Sequence, residues 1–233
     1  MSRIAIMQPY VFPYIGYFQL INSVELFVFY NDVNFIKKGW INRNKILLEG
    51  KDLMFTIPCK QVSQNKRICD TQLAFDDKEK NRFLLTVTQA YKKASQFKTV
   101  YPIIERVTLK SHTWIDDLAI ESVKEVCLYL ELETKFRVSR NQYGNEGLKR
   151  EERLIDICVK ENSLSYINPS GGTELYSKEY FGDRGVELQF LNPTKFSYRQ
   201  FNNDFVPWLS MIDVLMFNER DKIREYLSNF ELL

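Results

Sequence analysis

Between Gln8 and Phe18 the sequence reads QPYVFPYIGYF, a pattern that suits ligand binding better than plain core filling. The hydroxyls of Tyr10, Tyr14 and Tyr17 alternate with prolines. Pro9 and Pro13 fix φ and remove two N–H donors, which holds the chain extended and turned, and Gly16 lets backbone or ligand approach closely. The run follows Ile4 to Met7, a short apolar segment of the kind a buried strand shows. Tyr10 and its neighbours, with Gln8, are therefore expected at the carboxyl edge of a first strand, where open α/β sheets take their ligands. Two further stretches carry chemistry. Lys38, Trp40, Asn42, Arg43 and Asn44 form a polar and aromatic cluster that interrupts an otherwise apolar arm, as side chains facing a ligand would. Gly171, Gly172 and Thr173, with Glu174, follow another expected strand, and two glycines there expose N–H groups suited to a phosphate or a developing oxyanion.

These residues need elements to position them. Ile15 to Asn22 reads as a helix and Leu26 to Tyr30 as a second buried strand, a compact βαβ start that places Asp32 at the same sheet edge as Gln8 if the strands are parallel. Trp40–Leu48 and Leu53–Pro58 read as hairpin arms about the turn Glu49-Gly50-Lys51-Asp52. Ile68 to Phe75 reads as a strand, and Asp77–Lys93 and Val100–Leu109 as helices, the latter starting beside Pro102. The clearest apolar stripe predicts a helix over Trp114–Leu130, with Thr113 and Asp116 as its cap. Beyond it come a strand at Phe136–Ser139, a loop at Asn141–Gly147 and a helix at Lys149–Lys160. Strands follow at Ser165–Ile167 and Val186–Leu191, then helices at Trp208–Phe217 and Asp221–Phe230. Trp208, Leu209, Ile212 and Leu215 fit a buried face that closes the core over the N-terminal loop. Alternating strands and helices predict an α/β fold, a single domain over 1–233 with a mostly parallel, Rossmann-like three-layer sheet and an inserted β-hairpin.

Composition excludes several classes. At 233 residues, 45% hydrophobic and 27% charged, the chain suits a globular protein with a sizeable core. A formal charge of +2, with Lys and Arg spread along the chain, provides no nucleic-acid footprint. The apolar run near the N-terminus is shorter than the roughly seven to fifteen residues of a signal peptide core. No stretch approaches the roughly eighteen apolar residues of a membrane span. A cytoplasmic protein that needs no membrane is expected. Cys59, Cys69, Cys127 and Cys158 form no CxxC pair and His112 is the only histidine, so no metal site of familiar spacing is read and the thiols are taken as structural.

The runs Ala5–Tyr10, Phe12–Tyr17, Phe35–Asn44, Asn168–Tyr176 and Phe205–Asp213 together resemble the WbqC-like protein family, and the likeness spans nearly the whole chain. The resemblance implies a transferase of bacterial surface polysaccharide (O-antigen, lipopolysaccharide) synthesis, attaching glycine or another acyl group to the amine of a nucleotide-linked amino sugar. An activated acyl or aminoacyl donor and a carrier protein are the further partners it implies. In that setting Lys38 and Arg43 would neutralise a pyrophosphate, Arg by bidentate contact, while Trp40 and the loop tyrosines stack on sugar or base. Lys37 reads as solvated. Amide formation needs a base for the amine proton and donors for the carbonyl oxygen. Asp32 is the first choice for that base, with Glu174 and Asp213 behind it; each could instead form a cap or turn, Asp213 more readily than Asp32. His112 lies away from the clusters. Two alternatives stand beside this. Pro13–Tyr17 has the spacing of the HxGH motif of certain nucleotidyltransferases, with Tyr at both histidine positions. The same residues would also serve a non-catalytic nucleotide-sugar-binding or scaffold protein, and exposed aromatics would suit a homodimer interface.

Overall fold

The computed structural model describes residues 2–233 and forms a doubly wound α/β fold. In chain order its elements are β1 (Arg3–Met7), α1 (Ile15–Asn22), β2 (Leu26–Phe29), β3 (Arg43–Leu48), β4 (Lys51–Thr56), α2 (Asp77–Tyr91), α3 (Phe97–Leu109) and α4 (Ile115–Tyr129). Then come β5 (Lys135–Val138), α5 (Arg150–Lys160), β6 (Ser165–Pro169), α6 (Lys178–Gly182), β7 (Glu187–Pro193), α7 (Met211–Phe217), α8 (Arg220–Leu227) and β8 (Phe230–Leu232). Six strands make one sheet in the order β5-β2-β1-β6-β7-β8, parallel except for β8, while β3 and β4 pair separately as a hairpin. The hairpin turns on Glu49 and Gly50, both at positive φ, as a tight two-residue turn requires.

Alternation along the strands divides the interior into two cores. Ala5, Phe27, Phe29, Ile167 and Leu191 face the larger one with α1 to α4, α7, α8 and the hairpin. Ile4, Ile6, Val28, Tyr166 and Leu188 face the smaller one, against α5 and α6. These are the three layers expected of strands buried on both sides. Among the described residues no helix is long and apolar enough to cross a membrane.

Five local expectations are corrected. Ile68–Phe75 is a 3₁₀ turn over Ile68–Asp70 followed by isolated bridges, because its N–H groups bond loops: Cys69 to Asn31, Leu73 to Thr113 and Ala74 to Pro58. Helix α3 begins at Phe97, so Pro102 lies inside it rather than at its start. Thr113 does not cap α4; Trp114 holds that position without a side-chain bond, and Asp116 instead accepts from Asn31 Nδ2 at 2.7 Å. Helix α7 begins at Met211, because the Ser210 side chain caps it by accepting from Ile212 N. Trp208 is thus outside the helix and 70% exposed, not on a buried face. The helix expected to run to Phe230 ends at Leu227, and Phe230 opens β8 instead.

One buried polar centre ties α7 to the rest. Asp213, fully buried, accepts from Tyr91 Oη at 2.7 Å, Tyr198 Oη at 2.6 Å and Gln200 Nε2 at 2.7 Å. Tyr91 Oη in turn accepts from Leu47 N in the hairpin. Burial raises the Asp213 carboxyl above its usual range, against the three donors that lower it. Replacing Asp213 by Ala strands three buried donors, at roughly 1 kcal/mol or more each. Urea denaturation of Asp213→Ala is expected to show a loss on the order of 3 kcal/mol.

Candidate functional site

The segment Gln8–Tyr14 runs from the end of β1 into α1, and its centre is buried. Buried backbone must find partners within the protein, and here they come from three distant segments. Phe12 N donates to Ser122 Oγ of α4 at 3.0 Å. Phe12 O accepts from Asn44 Nδ2 at 2.7 Å and Ser210 Oγ at 2.6 Å. Val11 N donates to Ile41 O, and Pro13 O accepts from Met211 N. Phe12 is held at φ +41°, a left-handed conformation that a bulky residue adopts only under constraint. Val11, Phe12 and Pro13 are buried, while Tyr10 and Tyr14 are only half-buried.

Tyr10, Pro13 and Tyr14 wall a cleft of about 310 Å³ together with Trp40, Asn44, Lys45 and Trp208. The Tyr14 and Trp208 rings lie 6.0 Å apart. Neither the Tyr10 nor the Tyr14 hydroxyl has a hydrogen-bond partner among the described residues. Burial pushes the Tyr10 phenol up to about 12 and raises Tyr14 as well. Both therefore stay protonated at neutral pH, able to donate and accept hydrogen bonds but not to serve as bases. Trp40 is 43% exposed and Trp208 70%. Trp208 and Lys38 share the positive φ of Phe12, at +62° and +59°, so each segment around the cleft holds one strained non-glycine residue. Gly16 serves this arrangement, because a Cβ there would collide with the Tyr14 ring.

The other residues expected at a site divide between this cleft and the framework. Arg43 donates to the Lys38 and Gly39 carbonyls and lies 5.8 Å from the Trp40 ring, so it shapes the turn that presents Trp40. Lys38 is exposed beside it. Asn42 is bound to Ile57 O at 2.8 Å and extends the hairpin. Asn44 lines the cleft while its amide holds Phe12. Tyr17 is corrected to a core residue: it is 3% exposed, its hydroxyl donates to Gln8 O at 2.9 Å, and its ring packs on Phe18 and Phe27. Trp208 and Lys45 were not foreseen as cleft walls. The signal for Trp208 was the Ser210-x-x-Asp213 cap, which starts the helix after it.

At the carboxyl edge the sheet opens. β1 pairs with β6 only through Arg3–Ser165 and Ile4–Tyr166, whereas β1 stays paired with β2 to Met7 and β6 with β7 to Pro169. The strand order reverses at this gap, which is the usual ligand position of doubly wound sheets. Gln8 and Asn168 stand at the two strand ends, and the side chain of neither makes a hydrogen bond among the described residues. Gly172 is small for a packing reason, since a Cβ would strike the Asn168 amide. Gly171 meets nothing, Thr173 Oγ1 bonds Ser170 O at 2.9 Å, and Glu174 is exposed without an ion-pair partner.

Asp32 lies at this edge but is enclosed. It pairs with Arg153 at 2.6 Å, the side chains 6% exposed for Arg153 and 1% for Asp32, and its second oxygen accepts from Ser139 Oγ. Arg153 is further held by Asn145 Oδ1 at 3.0 Å and by the Tyr30 ring at 4.9 Å. In this arrangement neither Asp32 oxygen is free to take an amine proton. The four thiols are unpaired, and burial raises each above its ordinary range, so they too stay protonated.

The match to a family model runs over residues 8–225, described as the WbqC-like protein family, and so includes the aromatic loop, the hairpin, the Gly-Gly turn and Trp208. The chain belongs to the WbqC-like family. It is also similar to an uncharacterized protein of Mycobacterium tuberculosis, 24% identical over 230 residues that cover 97% of this chain and 98% of the relative. No solved structure matches the chain at a significant level.

Three variants test this partition of the WbqC-like chain. Gly16→Ala is expected to fold but to displace the Tyr14 ring, visible as a change in the environment of Trp208 by fluorescence. Arg153→Ala leaves a buried charge unpaired and is expected to cost about 3–5 kcal/mol in urea denaturation. The double change Asp32→Asn with Arg153→Met should recover most of that loss, as a purely structural pair predicts.

Proposed function

We propose that this WbqC-like protein is a transferase that modifies an amino sugar, presented as a nucleotide sugar, by attaching an aminoacyl or acyl group during surface polysaccharide synthesis. The observation that carries this is the aromatic cleft. Tyr10, Tyr14, Trp40 and Trp208 offer flat faces to a sugar ring or base, and two partnerless phenol hydroxyls offer hydrogen bonds to its hydroxyls. Lys38 and Arg43, beside Trp40, supply positive charge for a pyrophosphate, and the gap between β1 and β6 gives a second place for the nucleotide. Of the three carboxylates considered, Glu174 alone is exposed and without an ion pair among the described residues, after β6 and outside the cleft wall, and it is assigned the amine proton; Asp32 serves that role only if its pair with Arg153 opens.

One observation favours a second function. Asp32 and Asp213, two of the three carboxylates considered as the base, both lie in buried and satisfied networks. A non-catalytic protein that binds the same nucleotide sugar would need no free carboxylate.

A thermal-shift screen against nucleotide amino sugars and free nucleotides separates these cases. At a hundred times its dissociation constant a ligand adds about 2.7 kcal/mol, which raises Tm by about 5 °C or more in a chain of this size. Trp40→Ala, at an exposed position, is expected to abolish the shift without lowering the unliganded Tm. Absence of a shift with every nucleotide sugar overturns the proposal. A shift with no turnover in the presence of acyl donors, unchanged by Glu174→Gln, selects the binding protein.

A further inference from the structure

A second cleft, of about 310 Å³, adjoins the first and shares its Tyr14–Trp208 wall. Its remaining lining comes chiefly from the irregular segment between β7 and α7, and its chemistry differs. Phe196, Tyr198, Phe205 and Leu209 make the interior apolar and aromatic. The polar groups of the wall are already occupied: Tyr198 Oη donates to Asp213 and Thr194 Oγ1 donates to Asn229 O at 2.8 Å. Two remain without partners among the described residues, the Tyr14 hydroxyl and the Lys195 ammonium. Lys195 is exposed, makes no ion pair, and no lining residue is acidic. Asp204, the nearest acid along the segment, lies outside the wall.

From this pairing of an apolar interior with one uncompensated cation we infer that the second cleft binds an apolar carboxylate, an aliphatic or aryl acid whose hydrocarbon body fills the cleft and whose carboxylate meets Lys195. Small-molecule sites commonly combine an apolar lining with a few placed polar groups, and burial of the body drives binding while the charge orients it. The assignment rests on this cleft alone. Joined to the transferase function proposed above, it gives the donor's acyl group a seat across the Tyr14–Trp208 wall from the sugar.

Isothermal titration of the full chain with octanoate, and with octylamine as its cationic counterpart, tests this at low ionic strength and below micelle concentrations. Octanoate is expected to bind saturably, at least tenfold tighter than octylamine, and that preference should shrink as salt screens the exposed Lys195. Lys195→Glu, at a solvent-facing position with no partner to lose, should weaken octanoate at least tenfold and reverse the preference. Trp40→Ala, in the other cleft, should leave octanoate binding unchanged. The proposal is overturned if octanoate does not bind, if the two ligands bind alike, or if Lys195→Glu leaves octanoate binding unaltered. Octanoate binding without any nucleotide-sugar shift would remove the transferase function and keep this site.

Discussion

The backbone of Phe12 is the point on which the site depends. Its N–H and carbonyl are satisfied only by side chains from α4, the hairpin and the cap of α7, residues separated from it by 110, 32 and 198 positions in sequence. A left-handed φ at a bulky residue costs on the order of 1–3 kcal/mol, and three hydrogen bonds from rigid elements are what hold it there. The aromatic cleft therefore cannot form locally. Tyr10 and Tyr14 reach their places only when hairpin, helical insertion and C-terminal segment have all packed around the loop between them.

That dependence explains what the sequence disclosed. Elements whose pattern is set within themselves were readable: the buried run of β1, the eight residues of α1, the hairpin about Glu49-Gly50, the stripe of α4. The α/β class and the shared edge of Gln8 and Asp32 followed from their alternation. What failed depends on contacts between distant segments. Ile68–Phe75 reads as a strand, but its hydrogen-bond partners are loops. Trp208 falls at helical spacing with Leu209 and Ile212, and only the cap at Ser210 and the positive φ of Trp208 put it on the surface.

The residues that chemistry singled out are sorted by a physical criterion that sequence does not carry, namely whether each polar atom already has a partner. Asp32 as base and Tyr17 as a binding residue are candidates in sequence, yet the first is locked to Arg153 and Ser139 and the second to Gln8 O. Buried polar groups must be satisfied, so a fully enclosed Asp or Tyr near a motif is more readily explained by architecture than by catalysis. Half-buried Gln8, Tyr10 and Tyr14 have side-chain polar atoms left unpaired among the described residues, and so does Asn168, which is 6% exposed. Those atoms, unlike the buried acids, are left to find partners from outside the protein.

The fold and the clefts direct attention to different places, and the difference is informative. The sheet opens between β1 and β6 at the switch point, where a doubly wound fold receives a nucleotide. The aromatic clefts instead arise from the loop after β1, the hairpin and the segment before α7, two of which are additions to the basic α/β plan. Fold alone supports only the first of these positions, since one architecture hosts many functions. The loop Gln8–Tyr14 joins them, with Gln8 at the gap in the sheet and Tyr14 in the wall between the clefts.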